Sequence, residues 1–580
     1  MIADRNILYD GQTATPGGMS SGTAPSRIRK DQVSFAVNAT TRGDYLRSRP
    51  GWTQLSLTYP DATTQSRLED GLFQCAAYYE HLNDRDALMV QSSGRLFRIQ
   101  LSDLSVLEVT PGAGADTSNP ALQEAWMQQA EQFMVIQDDQ AAAIVWDGSS
   151  SARSLTVPSG NIMTYALGRL WVVKRNRRSF TASDLVFGPS GTDAYGRADA
   201  VLHFTENTYL NEGGAFGVPA QYGPITAMTA VANLDTSLGQ GPVQVFCNRG
   251  SFSVNAPFDR TIWKDLTWPI QTVSTLSNGP LGAASVTPLN GDLWFRANDG
   301  LRSFQVARRN HNSWVNTVQS HELDRVFAAD DQALLRFNSS VVFDNRLLSA
   351  CTPRLSTRGV WHLGLVALNL DNVSGISEPT APSYDGLWTG LRIYRLVTGR
   401  SGGAQRCFAF VQNPTTLDLE LWELSTSQSY DRPLVSGNQV ERRIAWIVET
   451  RSFDCARPLD LKSLEGVDMW IDHLHGQLDI TVKYRPDQYP AWTTLNTQTV
   501  CARMTTCSTA DCEDPYDLQE QHRSRLMFGR PADGCEPTNS RQMPQGFEHQ
   551  LRIELNGAAV LRSLRIKERM IPELPGGCTA

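Results

Sequence analysis

Four cysteines, Cys501, Cys507, Cys512 and Cys535, share one long polar loop. Zinc would need four such soft ligands converging as a tetrahedron, commonly from paired short knuckles. The intervening runs here are five, four and 22 residues, so no such pair is present, although His522 could stand in as a ligand. Zinc, disulfides formed after release from the cell, and free thiols all remain open, and no metal is assigned. Any cross-link would pin the loop and would not imply catalysis. His473 and His475 alternate along a strand pattern, which puts both imidazoles on one face, but no third ligand lies near in sequence. The acidic pairs Asp138-Asp139 and Asp330-Asp331 have the residue types for glycoside cleavage. Both sit in turn contexts, where Asp serves the backbone. The basic run Lys174, Arg175, Asn176, Arg177 and Arg178 could meet phosphates or an acidic partner, or it could be a solvated hairpin tip. No nucleophile elbow, phosphate loop, histidine–carboxylate metal motif or dinucleotide fingerprint occurs. The expectation is a protein that is not an enzyme and carries no cofactor.

Composition narrows the class further. Hydrophobic residues make up 41% and charged residues 19% of the 580, too apolar a mixture for a disordered chain. A formal net charge of −8 argues against a general nucleic-acid coat. Only six of the 52 basic residues are Lys, which a GC-rich coding genome explains without Arg-specific chemistry. No run of 18 apolar residues predicts a membrane span. The opening "MIADRNILYDGQT" is too polar for a signal peptide, so synthesis in a cytosol is expected.

The elements that must hold these residues read as strands. From 86 to 424 an apolar strand, a tight polar turn and a second apolar strand recur, with turns near 93, 139, 175, 249, 299, 345 and 413. The spacings are 46, 36, 74, 50, 46 and 68; four of them suit a four-stranded propeller blade of roughly 40–50 residues. The two long ones imply an insertion or a weaker blade. A lone hairpin cannot bury its face, and radial stacking solves this while protecting edges. A β-sandwich pair is the competing arrangement. Beyond about 436 the texture shifts to long alternating strands, 461–495 and 547–571, the latter with a turn expected at Asn556-Gly557. Helix is scarce, with 119–133 the best candidate and strand the alternative even there. The predicted class is all-β: an arm over 1–60, a β-propeller-like domain over 61–435, and a C-terminal β-sandwich with a Cys-rich loop over 436–580. Trp263, Trp268, Trp388 and Tyr394 would be the aromatic candidates if the propeller bound glycans or a receptor.

The opening segment "GGMSSGTAPSRIRKDQVSFAVNATTRGDYLRSRPGW" has few hydrophobic residues and reads as an arm that gains its burial from something else. It resembles the start of the tail-nozzle (tail tubular protein B-like) proteins of short-tailed bacteriophages, with Gly17, Gly18, Pro25, Gln32, Asn38, Gly43, Arg49 and Pro50 at the matching positions. The strands around 131–148 and 168–185 similarly look like propeller segments of phage virion proteins. The Cys-rich C-terminal part departs from that pattern. The resemblance implies a structural virion protein: a six-fold ring, below the head-to-tail adaptor, that continues the DNA channel and supports fibres. Its partners would then be copies of itself, the adaptor ring, tail fibres and DNA in transit, with no membrane insertion. A glycan- or receptor-binding propeller adhesin is the alternative.

Overall fold

The computed structural model describes residues 7–13, 15, 17–43, 45–80, 86–111, 118–184, 202–204, 215–230, 242–254, 270–276, 278–289, 291–304, 318–370, 383–501, 524–529 and 545–571. The described chain is nearly all β, as the sequence predicts. Among the described residues no helix is long and apolar enough to cross a membrane.

Seven meandering sheets follow one another around a common axis. The first four are four-stranded, at 73–108, 126–153, 160–217 and 225–275. A fifth follows, with three strands among the described residues (Thr287–Leu289, Asp292–Ala297, Gly300–Ser303). The sixth begins with Ser340–Phe343, Arg346–Ser356 and Gly359–Asn369 and ends on the first half of the long strand Ser383–Ser401. The second half of that strand opens the seventh, which continues through Ala404–Gln412 and Leu419–Leu424. The fourth strand of this last blade comes from the other end of the chain: Trp52–Gln54 pairs antiparallel with it, Trp52 opposite Leu424.

Neighbouring blades share apolar layers, and the one between blades five and six runs on into the core of the second body. Tyr79 and Met89 meet Met134 and Trp146 between blades one and two, and Phe73 and Leu88 meet Val397 and Phe408 where blade seven closes on blade one. Strands buried on both faces explain runs such as Phe133–Gln137, buried at every position. The seven sequence turns fall one per blade, six of them between the second and third strands and the one at 345 between the first and second, so the described residues hold no further blade within the long spacings. Ser93 and Gly94 both adopt positive φ (46° and 77°), as do Asp344 and Asn345 (50° and 53°), the geometry of a two-residue hairpin turn whose twist matches the strands.

The second body is a sandwich made largely of two long strands, Lys462–Pro486 and His549–Met570, paired antiparallel along their length. The pairing is irregular between 470 and 479, and there both strands bend, so that each contributes to both layers. At the open end His549 Nδ1 and Glu568 Oε1, both fully buried, lie 2.7 Å apart across the two layers. The expected hairpin at Asn556-Gly557 is therefore a bend in a continuous strand. Gly557 has φ 135°, and a Cβ there would sit 2.4 Å from the Gln477 carbonyl oxygen. The glycine serves close strand approach at the corner, where the sequence pattern suggested chain reversal. The stretch 119–133, read as helix or strand, holds the strand Trp126–Ala130. Among the described residues the α-helices are Ala62–Glu69 and the single turn Asp324–Phe327; the first is capped by Asp61 accepting from the Thr64 amide at 2.8 Å.

The segment before residue 60 is not a separate arm. Ile7–Gln12 pairs with Arg569–Leu564, Phe35–Val37 with Glu449–Ile447, and Leu46 and Arg47 with Leu561 and Val560. The sandwich is thus built from both ends of the chain, and the propeller is closed from its N-terminal side.

His362, on the middle of blade six, is fully buried, with Nδ1 3.1 Å from the Ile393 carbonyl oxygen. Burial lowers its pKa to about 4. Between about pH 4 and 6.5 the unfolded chain therefore binds a proton that the folded chain refuses, so stability rises with pH through this window. On acidification to pH 4 the expected loss from this group is on the order of 3 kcal/mol. Urea unfolding of His362→Gln beside the parent should show a shallower dependence on pH. Parallel curves would remove His362 as a source of acid sensitivity.

Candidate functional site: the joint between propeller and sandwich

Of the eight singled-out residues of the opening segment, Asn38, Arg49 and Pro50 meet at the joint between the two bodies. Arg49 is almost fully buried and forks onto Asp431, with Nη1 and Nη2 donating to Oδ1 and Oδ2 at 2.8 and 2.9 Å. Asp431 also accepts the Trp52 amide at 2.9 Å. One carboxylate in the connector after blade seven thus fixes the closing strand and the segment before it. Asn38 (φ 53°) sits between all three parts. Its Oδ1 accepts from Arg49 Nε (3.1 Å) and the Thr389 amide (2.7 Å), while Nδ2 donates to the Ala445 carbonyl (3.0 Å). Pro50 contributes its carbonyl to Arg49 Nη1 at 2.9 Å.

Farther back, the Gly17 amide donates to Asp31 O at 3.2 Å, and buried Gln32 donates to the Gly17 carbonyl at the same distance. Gly18 has φ 68°, and a Cβ there would lie 2.6 Å from the Tyr384 carbonyl oxygen, so only glycine fits. The Pro25 carbonyl accepts from the Ser452 amide at 3.0 Å. Gly43 turns at φ 83° in open space. These contacts lie within one chain, so the segment has burial of its own before any neighbouring subunit is added.

Sequence reasoning missed two acids that organise the joint. Asp431 is one; Asp385, fully buried on the long strand of blades six and seven, is the other. Asp385 accepts from Thr40 Oγ1 (2.7 Å), the Thr41 amide and hydroxyl (3.0 Å each) and Arg346 Nε (3.1 Å). Neither acid carries a local signal, because its partners lie more than 300 residues upstream, apart from Arg346.

The remaining candidates disperse. Asp138 accepts the amides of Gln140, Ala141 and Asn119, and Asp331 that of Ala333. Asp330 forms a fully buried ion pair with Arg296 at 2.6 Å. These are turn and packing roles. The strand breaks register at the two histidines: His473 is left-handed (φ 47°) and exposed, and His475 stacks on Tyr430 at 5.7 Å. His475, Tyr430 and Arg442 face a cavity of about 560 Å³ beneath the connector. Trp388 and Tyr394 are core residues at 2% and 3% exposure. Trp388 donates to the Ala39 carbonyl and Tyr394 stacks on Phe73 at 4.9 Å, so neither is a glycan platform. Trp263 and Trp268 lie outside the described residues. Cys501 is disulfide-bonded; Cys507, Cys512, Cys535 and His522 also lie outside them. Among the described residues no three His, Cys, Asp or Glu side chains cluster as a metal site. The basic hairpin is the turn between the middle strands of blade three, with Lys174 and Arg177 half-buried and Arg175 and Arg178 exposed.

Fold and joint together define a closed seven-bladed propeller fused to a bent-strand sandwich. No family model matches the chain, and no curated protein matches it. Among solved structures it is similar to the extracellular domain of the putative hybrid two component system BT4673 from B. thetaiotaomicron. The identity is 10%, over 86% of this chain and 62% of that one, with a TM-score of 0.35; the chain thus spans under two thirds of that domain. YCF48 from Cyanidioschyzon merolae matches at 10% identity over 65% of this chain and 99% of its own, TM-score 0.29. A glycoside hydrolase family 43 arabinoxylan arabinofuranohydrolase from Bacillus subtilis matches at 8% over 86% and 96%, TM-score 0.23. Likeness at this level transfers no activity, ligand or partner.

Proposed function

We propose that the chain is a structural virion protein of a bacteriophage tail, of the nozzle or hub type. In this reading it is made in the host cytoplasm and assembles as a cyclic ring, a hexamer, below the head-to-tail adaptor. The ring extends the DNA channel without sequence-specific contact and supports fibres. The reading starts from the resemblance of residues 17–52 to nozzle proteins, a family whose terminal segments build a platform while propellers ring the outside. One observation carries it further: residues from both ends of this chain build a single sandwich fixed to a propeller. The net charge of −8 suits a wall along which DNA slides. The opening segment is occupied within its own chain, so ring contacts fall to the outer surfaces of the two bodies.

Mass photometry and negative-stain imaging of the full chain, alone and with adaptor rings, test this reading. Six-fold rings, free or seated on the adaptor, are expected. A monomer under both conditions would overturn the nozzle reading and favour the receptor-binding alternative.

A further inference from the structure

The sheet edge that the opening segment forms on the sandwich is interrupted at one place. Along the strand His549–Met570, residues 564–569 pair with Ile7–Gln12, and residues 560 and 561 pair with Arg47 and Leu46. Arg562 and Ser563 fall between the two, opposite neither strand. The chain leaves this ladder after Gln12 and rejoins it at Leu46, so Thr13 and Tyr45 stand at the two sides of a notch. On the other edge of the same strand, Trp470 pairs with Ser563 and Ile471 with Leu561. Arg562 is thus the extra residue of a β-bulge, a device that re-aims a side chain. Its guanidinium lies 4.9 Å over the Tyr45 ring and is ion-paired with Asp472.

An open cleft of about 270 Å³ fills the notch, lined by Thr13, Tyr45, Trp470, Arg562 and Ser563. Trp470 is 38% exposed there, and an indole open to this extent is a stacking surface. Tyr45, Arg562 and Ser563 also wall an adjoining chamber of about 20 Å³, room for about one water. Thr15 lines that chamber. It is 4% exposed, and its hydroxyl has no hydrogen-bond partner among the described residues. Such a hydroxyl carries an unrecovered desolvation cost, so a ligand hydroxyl that reaches it supplies a hydrogen bond that these residues do not. Arg562 is matched by Asp472, and Arg565 on the same strand by Asp468. The lining therefore offers aromatic faces, hydroxyls and a neutralised ion pair, with no unmatched charge to draw in an ion.

We propose that this cleft binds a neutral saccharide through one pyranose ring. The apolar C–H face of a pyranose suits the Trp470 ring, and its neighbouring hydroxyls suit the planar donors of Arg562 and the Asp472 carboxylate. One further hydroxyl fills the chamber beside Thr15. The volume lies just under the roughly 300–1,000 Å³ usual for small-molecule sites, which limits the ligand to about one ring. The cleft lies on the sandwich and not on the propeller. It is complete within one chain, so it does not depend on the ring reading.

The test is saturation-transfer NMR of the full chain with the methyl glycosides of glucose, galactose, mannose and N-acetylglucosamine. N-acetyl-phenylalaninamide serves as a probe for an aromatic side chain of a protein partner. Saturable binding of at least one glycoside, with a Kd of about 1 mM, is expected. Trp470→Ala should weaken it about tenfold or more, and Trp470→Phe, which keeps a ring, should recover part of the loss. Trp492→Ala should leave it unchanged, since that ring packs on Arg485 at 4.3 Å and lines no part of the cleft. Thr15→Val should weaken binding several-fold while the melting temperature holds or rises, because it removes a buried hydroxyl without a partner. An unchanged affinity in Thr15→Val would overturn the assignment of the chamber to the ligand. No saturable glycoside, binding of the phenylalanine probe alone, or equal effects from Trp470→Ala and Trp492→Ala would overturn the proposal.

Discussion

A chain lacking residues 1–54 is expected to lose its closed propeller and half the support of its sandwich, whatever becomes of its oligomeric state. Trp52, 2% exposed, packs between blades six and seven, and its strand completes blade seven. Without it the Leu419–Leu424 strand becomes an unpaired edge. Loss of Arg49, Thr40 and Thr41 would also strip Asp431 and Asp385 of most of their donors, and an uncompensated buried carboxylate costs several kcal/mol. The melting temperature should fall by roughly 10 °C or more, if the truncated chain is soluble at all. Thermal unfolding followed by circular dichroism, with limited proteolysis of the 419–445 region, measures this. A truncated chain that melts within about 2 °C of the parent would show the segment to be dispensable for folding, and would restore the picture of an arm reserved for neighbours.

Asp431→Ala is expected to be the most damaging single change at the joint, at about 3–5 kcal/mol, because it leaves the Arg49 guanidinium buried without its counter-charge. Arg49→Met should cost a similar amount by the reverse route. The double variant Arg49→Met with Asp431→Leu should be less destabilised than the sum of the two, since removing both charges removes the desolvation penalty. Asp431 sits in the connector, so the single variants should also loosen one body against the other, read as faster hydrogen exchange in 425–445. Additive losses in the double variant would mean that the pair is not coupled.

How legible was this fold in the sequence? The blade turns were readable because each is local: two or three residues such as Asn298-Asp299-Gly300 fix the twist of their own hairpin. Blade number follows once each turn is given one blade, and one long spacing arises partly because the turn at 345 comes a strand earlier in its blade than the others. Asn556-Gly557 carries the same local signature as a hairpin turn, yet it marks a strand corner. The difference lies in Gln477, which presses against Gly557 from 80 residues upstream. The closing strand was illegible for the same reason: Trp52 pairs with Leu424, and nothing near either residue announces the other. The candidate joint was half legible. The glycines, Asn38 and Arg49 stood out by type and by resemblance. Their partners Asp385 and Asp431 are ordinary acids in ordinary contexts until the chain folds.

The seam that closes the propeller also sets a timetable for the chain's own maturation. Trp52–Gln54 leaves the ribosome some 370 residues before the strand it must join, and Ile7–Gln12 waits still longer for its partner at 564–569. Domains synthesised in order usually fold in order. Here blades one to six can stack as they emerge, but neither body is finished until both ends of the chain are present together. A prematurely terminated product would therefore carry an open blade and an unpaired edge, and would lack a completed joint. Completion of the fold thus waits on the pairing of residues 7–54 with strands made more than 350 residues later.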